Sequence, residues 1–226
     1  MVEAMQSDII FLFRITGTHT GNTWSWMTSQ FQEGLVIEHM NKIGIIIGST
    51  RPGRVAEQVA KWVYEHAQKR GDAEYEIVDL ADYNFPNYDE PVPPSMSQDY
   101  KQEHTRRWSQ KIASLDGFVF CTPEYNHATS GVLKNALDFI YYEWNNKAAG
   151  FVSWGSYLGA RAVENLRLIM GELQVADVRA QVGLSLFTDF ENFTTFKPAA
   201  HHADALSAML DQLNAWASAL KALRSK

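Results

Sequence analysis

The run Lys42-Ile43-Gly44-Ile45-Ile46-Ile47 is apolar and β-branched, and after a short polar loop Val55, Val59, Ala60, Val63 and Ala67 recur at helical spacing. An apolar run of that kind reads as a parallel strand covered on both faces, and the pattern after it reads as a helix with one buried side. Between them lies Gly48-Ser49-Thr50-Arg51-Pro52-Gly53-Arg54, with two hydroxyls and two guanidinium groups. The free N–H groups of the following helix point into the same region, so the unit is a cradle for an anion with several oxygens.

What the loop lacks narrows the anion. Gly48 and Gly53 have the glycine spacing of a nucleotide triphosphatase loop, but Arg54 and Val55 stand where that motif needs Lys followed by Ser or Thr. The dinucleotide fingerprint G-x-G-x-x-G is absent as well. A monophosphate held by side-chain donors fits the residues better; the alternative is a plain strand-to-helix turn with exposed arginines.

The rest of the chain repeats the same alternation. Strands are predicted at Tyr75–Leu80, Gly117–Cys121, Ala149–Ser153 and Val178–Val182, with helices at Asp99–Leu115, Val132–Tyr142 and across Ala162–Leu173. Pro86, Pro91, Pro93 and Pro94 exclude regular structure between the second strand and its helix. Leu206, Leu210, Leu213, Trp216, Leu220 and Leu223 predict a terminal helix with a core-facing stripe. Five strands interleaved with helices imply an α/β fold, an open five-stranded parallel sheet with helices on both faces. Ligands of such sheets bind outside the carboxyl ends of the strands, where three loops would meet.

The chain of 226 residues, 46% of them hydrophobic, has room for one α/β domain over residues 40–226. Residues 1–39 read differently and are expected to be a poorly ordered extension, or to stem from too early a start codon. Their apolar run Ile9–Phe13 is too short to span a membrane, and no basic region marks a secretion signal. A net charge of −6 gives no general attraction to nucleic acid or to anionic membranes. The single cysteine, Cys121, reads as core packing and fits a reducing, cytoplasmic setting.

The second loop, Thr122 to Gly131, offers an aromatic, amide and imidazole groups and backbone donors to a flat heterocycle with polar edges, and the third, Ser153 to Gly159, mixes glycines with aromatics. The strand with Gly48–Arg54, the stretch Pro123-Glu124-Tyr125-Asn126-His127 leading into Gly131-Val132-Leu133-Lys134-Asn135-Ala136-Leu137-Asp138, and the loop from Ser153 together resemble the NADPH-dependent FMN reductase family of the flavodoxin-like fold. The resemblance covers roughly Lys42 to Val182. It implies that Ser49, Thr50, Arg51 and Arg54 hold the FMN phosphate, that Pro123, Glu124, Tyr125 and Asn126 run along the flavin and its ribityl chain, and that Ser153, Trp154 and Gly155 border its pyrimidine side. Trp154 departs from the small residue common in that loop, which bears on the width of the ring slot.

It further implies a ping-pong oxidoreductase in which NADPH or NADH passes hydride to flavin N5 and an acceptor such as flavin or a quinone then takes the electrons. It implies a homodimer or tetramer, with the aromatics Phe139, Tyr141, Tyr142 and Trp144 in core or interface. No catalytic acid or base and no metal are assigned. His127 reads as a rim residue before a proton donor, Glu124 as orienting its loop, and the adjacent His201 and His202 do not share a helix face for a metal. Two other classes stay open, a non-enzymatic flavodoxin-type electron carrier and a phosphate-binding domain with no redox role.

Overall fold

The computed structural model describes residues 40–224, so the expectation for residues 1–39 lies outside the described residues. Five strands form the sheet: β1 (Asn41–Ile47), β2 (Ala73–Asp79), β3 (Gly117–Pro123), β4 (Lys147–Gly155) and β5 (Val175–Ser185). All pair in parallel in the order β2-β1-β3-β4-β5. This is the flavodoxin-like arrangement, and its order reverses between β1 and β3, where the loops leaving the two strands diverge to opposite faces and open a crevice.

Alternation along each strand divides the core in two. Ile43, Ile45 and Ile47 of β1, Val119 and Cys121 of β3, and Val152 and Trp154 of β4 pack with α1 (Ala56–Gln68) and α5 (His201–Arg224). Ile46, Phe118, Phe120, Ala149 and Phe151 face the other way, toward α2 (Glu103–Ala113), α3 (Gly131–Asp138) and α4 (Ala160–Glu172). A period of two on strands buried on both sides is why these segments read as continuous apolar runs.

Several boundaries differ from the sequence reading. Helix α2 starts at Glu103 rather than Asp99, because the buried Glu90 carboxylate accepts the Lys101 and Gln102 backbone N–H groups and keeps that stretch extended. Helix α3 stops at Asp138, and Phe139 and Trp144 beyond it are fully buried while Tyr142 is exposed. On α5 the buried face is Leu206, Met209, Leu210, Leu213 and Ala217; Trp216 and Leu223 are about half exposed and do not belong to the stripe. A short antiparallel hairpin absent from the sequence reading, β6 (Phe190–Glu191) and β7 (Thr195–Phe196), follows β5.

The amino edge of the sheet is closed by charge. Asp116 accepts the Lys42 backbone N–H (2.9 Å), Lys221 Nζ (2.8 Å) and Arg224, tying the end of α5 to β1. Burial opposes its charge, but the hydrogen bonds from Lys221 and Lys42 and the nearby cations hold the carboxyl below its ordinary range. Beside it the buried Lys147 donates to the Ile112 and Ala113 carbonyls at the end of α2. Burial, together with nearby Arg224, brings its pKa down to about 7.

Candidate functional site

The loops after β1, β3 and β4 all leave the carboxyl edge, and hydrogen bonds stitch them to one another. The Gly48 N–H donates to the Cys121 carbonyl (2.8 Å), and the Ser130 hydroxyl donates to the Gly48 carbonyl. The hydroxyls of Ser49 and Tyr125 lie 3.3 Å apart. The Glu124 N–H donates to the Trp154 carbonyl (2.9 Å). The order β1-β3-β4 thus places the three sequence-predicted clusters side by side.

In the first loop, Thr50 and Arg51 are exposed and Ser49 is buried. The Arg51 guanidinium has no ion-pair partner among the described residues. Gly53 turns the chain with φ +69°, and no atom lies within 4 Å of where its Cβ would be. Val55, at the N-cap of α1, has no side chain able to cap, so the start of the helix keeps its donors for something else.

Arg54 is placed differently from Arg51. Its guanidinium binds Asp79 (3.0 Å to Oδ1), Glu57 (2.7 Å) and the Ser49 carbonyl. Burial disfavours its charge, but the bonds to Glu57 and Asp79 outweigh that and raise its pKa. Arg54 therefore braces the loop from behind and neutralises two carboxylates that would repel an anion. This brace was not legible in the sequence, because Asp79 lies twenty-five residues on and meets Arg54 only through the β1–β2 pairing.

The second loop is a tight turn. The Tyr125 and Ala128 backbones exchange hydrogen bonds (2.9 and 3.1 Å), and Asn126 and His127 between them have φ of +48° and +73°. Left-handed φ at both central residues is the pattern of a type I′ turn, and Asn and His are both among the non-glycine residues that adopt it most readily. The N–H groups of Asn126 and His127 stay outside the turn's own bonds. Glu124 is held by Arg161, whose Nε (2.6 Å) and backbone N–H (3.1 Å) both donate to its carboxylate at the start of α4. Arg161 also donates to His127 Nδ1 (3.3 Å), which makes that nitrogen an acceptor. Glu124 and His127 are thus parts of one bracket with Arg161. The role of Arg161 was invisible in the sequence because it lies thirty-seven residues from Glu124.

In the third loop, Ser153 is fully buried, its hydroxyl donating to the Leu158 carbonyl (2.8 Å). Trp154 is 5% exposed and belongs to the core against α1 and α5, so its ring does not stand in the loop. Only its backbone faces the neighbouring loop. Gly159 has φ +70°, and a Cβ there would meet Ser153 Cβ at 2.6 Å and Trp154 N at 2.7 Å. Without that glycine the chain could not fold back on β4. Two open hollows, of about 670 Å³ around Arg179 and Trp216 and about 350 Å³ around Arg107, are lined by none of these loop residues.

The residues suit FMN on their chemistry. A free guanidinium, a hydroxyl and an uncapped helix start match a phosphate dianion, with the nearby carboxylates already neutralised. Beyond them an exposed phenol ring and outward N–H groups match a flat heterocycle with polar edges.

Comparison with known proteins agrees. The family model for NADPH-dependent FMN reductase matches residues 41–189. The chain is 42% identical over 149 residues to the NAD(P)H-dependent FMN reductase C4B3.06c of Schizosaccharomyces pombe, covering 66% of this chain and 74% of that one. It is 40% identical over 159 residues to the NAD(P)H-dependent FMN reductase ntnL of a Nectria species, covering 66% and 79%. The fold is also that of FerB, a flavoenzyme NAD(P)H:(acceptor) oxidoreductase from Paracoccus denitrificans, with a TM-score of 0.62 at 19% identity over 78% of this chain and 98% of that one. Three bridged loops on the carboxyl edge of this sheet and a family match that runs through all of them have one reading: the chain belongs to the NADPH-dependent FMN reductase family, oxidoreductases that use FMN and NAD(P)H.

Proposed function

We propose that the chain takes electrons from NAD(P)H and delivers them to a small oxidant such as free flavin or a quinone, the two substrates using one slot in turn. The observation that carries this reading is the stitching of the three loops into one surface, with Arg51 and the α1 N-terminus at one end and Tyr125 at the other. Thr50, Arg51 and the first N–H groups of α1 would hold the phosphate. Arg54 would keep Ser49 and the loop backbone in place, and Ser49, paired with Tyr125, would set the spacing between the first two loops. The backbones of Pro123, Glu124, Tyr125 and Asn126, with those of Ser153, Trp154 and Gly155, would line the ring.

Bound FMN supplies the redox chemistry, accepting a hydride and releasing two electrons. The protein's part is to orient the ring and to place N–H donors where negative charge develops. The net reaction with a quinone balances as hydride from NADPH plus one proton from solvent, giving NADP⁺ and the hydroquinone. No side chain in the loops is assigned as acid or base: Glu124 and His127 are already engaged with Arg161.

We also read the chain as a homodimer. Tyr88, Val92, Met96 and Tyr142 are exposed, and Tyr142 donates to the Ser95 carbonyl (2.8 Å), which joins the proline-rich segment to the turn after α3. An apolar surface of that kind is what a partner subunit covers. The test of the main reading is anaerobic addition of NADPH to FMN-loaded protein. Rapid bleaching of the visible flavin band, restored by a quinone, is expected; flavin that stays oxidised with both NADPH and NADH contradicts it.

A further inference from the structure

The segment after β5 presents two aromatic rings to solvent, Phe187 in the turn beside the third loop and Phe193 at the tip of the hairpin that follows. Phe187 and Phe193 are 67% and 57% exposed, and their rings meet edge to face at 6.1 Å. Phe193 has φ +58° and follows Asn192 at φ +51°, in a turn where the Thr194 N–H donates to the Glu191 carbonyl (3.1 Å). Glycine is the usual residue at that second central position, so Phe193 carries both a backbone cost and an exposed apolar ring. Such double costs persist where a function needs the residue.

The hairpin is rigidly mounted. Gln58 in the first turns of α1 donates to the Thr194 carbonyl and accepts the Phe196 N–H (both 2.9 Å). Phe190 and Phe196 turn inward, Phe196 against Trp62. Asp189 is buried and accepts from the Ser185 N–H, the Ala199 N–H and His202 Nε2 (2.8–3.1 Å). The Leu186 N–H donates to the Gly155 carbonyl (3.3 Å), which fixes Phe187 one residue from the third loop. The family match ends at residue 189, so the turn that carries Phe193 lies outside it.

We propose that Phe187 and Phe193 form an aromatic platform at the edge of the cofactor crevice that receives the ring system of an uncharged, flat electron acceptor. This rests on the oxidoreductase reading above. Electrostatics favours such an acceptor over the dinucleotide. Lys197 is the one cation in residues 186–200, and it is paired with Glu191 (2.5 Å), which leaves nothing in the hairpin to bind phosphate. Edge-to-face rings with open faces bind flat apolar molecules and discriminate little among them.

The test uses the full FMN-loaded chain with the double variant Phe187→Ala/Phe193→Asn, Asn being able to keep the left-handed turn, and the single variant Phe187→Ala in case the double variant fails to fold. With 1,4-naphthoquinone as acceptor, KM rises about tenfold for the double variant and about threefold for the single one, kcat being retained. KM for ferricyanide, a charged and non-planar oxidant, and KM for NADPH stay as in wild type, and Phe187→Tyr restores the quinone KM. An unchanged quinone KM, a parallel rise for NADPH, or a change in native mass that makes the rings a contact between copies each overturns the platform. If wild-type flavin is bleached by NADPH while the quinone KM does not move, the platform alone fails; if it is not bleached, both readings fail.

Discussion

The two ends of the sheet use charge in opposite ways. At the amino edge, Asp116 is saturated by Lys42, Lys221 and Arg224, and each bond ties one element to another. At the carboxyl edge, Arg54 and Arg161 consume Asp79, Glu57 and Glu124, and the result is that backbone donors and Arg51 are left over. Left-handed residues occur at both ends, Asn146 and Gln174 before β4 and β5 as well as Asn126, His127, Leu158 and Phe193 beyond the carboxyl edge. One end spends its polar groups on stability, while the other is braced so that some of its groups stay available. Removing a brace should therefore damage binding at one end and only stability at the other.

Gly159→Ala breaks the comparison most strongly, because it attacks the fold at the binding end. The added Cβ meets the backbone of Trp154 at 2.7 Å and the φ is left-handed, so a loss of about 3 kcal/mol is expected in urea unfolding. Asp116→Asn probes the other end. A loss of about 2 kcal/mol is expected near neutral pH, with FMN affinity unchanged. Because the folded carboxyl titrates lower than the unfolded one, its contribution is present above about pH 4 and disappears as the pH falls through the folded value. The variant should lack that acid limb.

Arg51→Ala sharpens the comparison from the binding side: unfolding stays within about 0.5 kcal/mol of wild type while FMN affinity falls by about 2 kcal/mol, read by fluorescence titration. Arg54→Ala, by contrast, should lower both, since it unbraces the loop and exposes two carboxylates to the phosphate. Lys147 is probed through the pH dependence of stability alone. Its folded pKa is about 7 and its unfolded value about 10.4, so the unfolded chain binds more protons between these and stability rises with pH across that window. Lys147→Met should flatten the rise without touching FMN binding.

What could be read from the sequence was what depends on local pattern. The β-branched runs of β1 and β3 and the apolar spacing of α1 announced the sheet and its layers, because period two and period 3.6 are written into the side chains. The three loops were legible because each follows an apolar run. Roles set by distant partners were not. The ion pair of Arg54 with Asp79, the burial of the Trp154 ring in the core and the phase that leaves Trp216 outside its stripe of leucines all depend on neighbours far along the chain. The hairpin at Phe190–Phe196 escaped because its strands are two residues long, too short for alternation to register.

The central claim is that the carboxyl-edge loops grip FMN by its phosphate as well as by its ring. The direct measurement is a fluorescence titration of the ligand-free chain with FMN and, in parallel, with riboflavin, which shares the ring and lacks the phosphate. One FMN per chain, bound at least about a hundredfold more tightly than riboflavin, is the predicted result. Equal affinity for the two, or no binding of either, would contradict it.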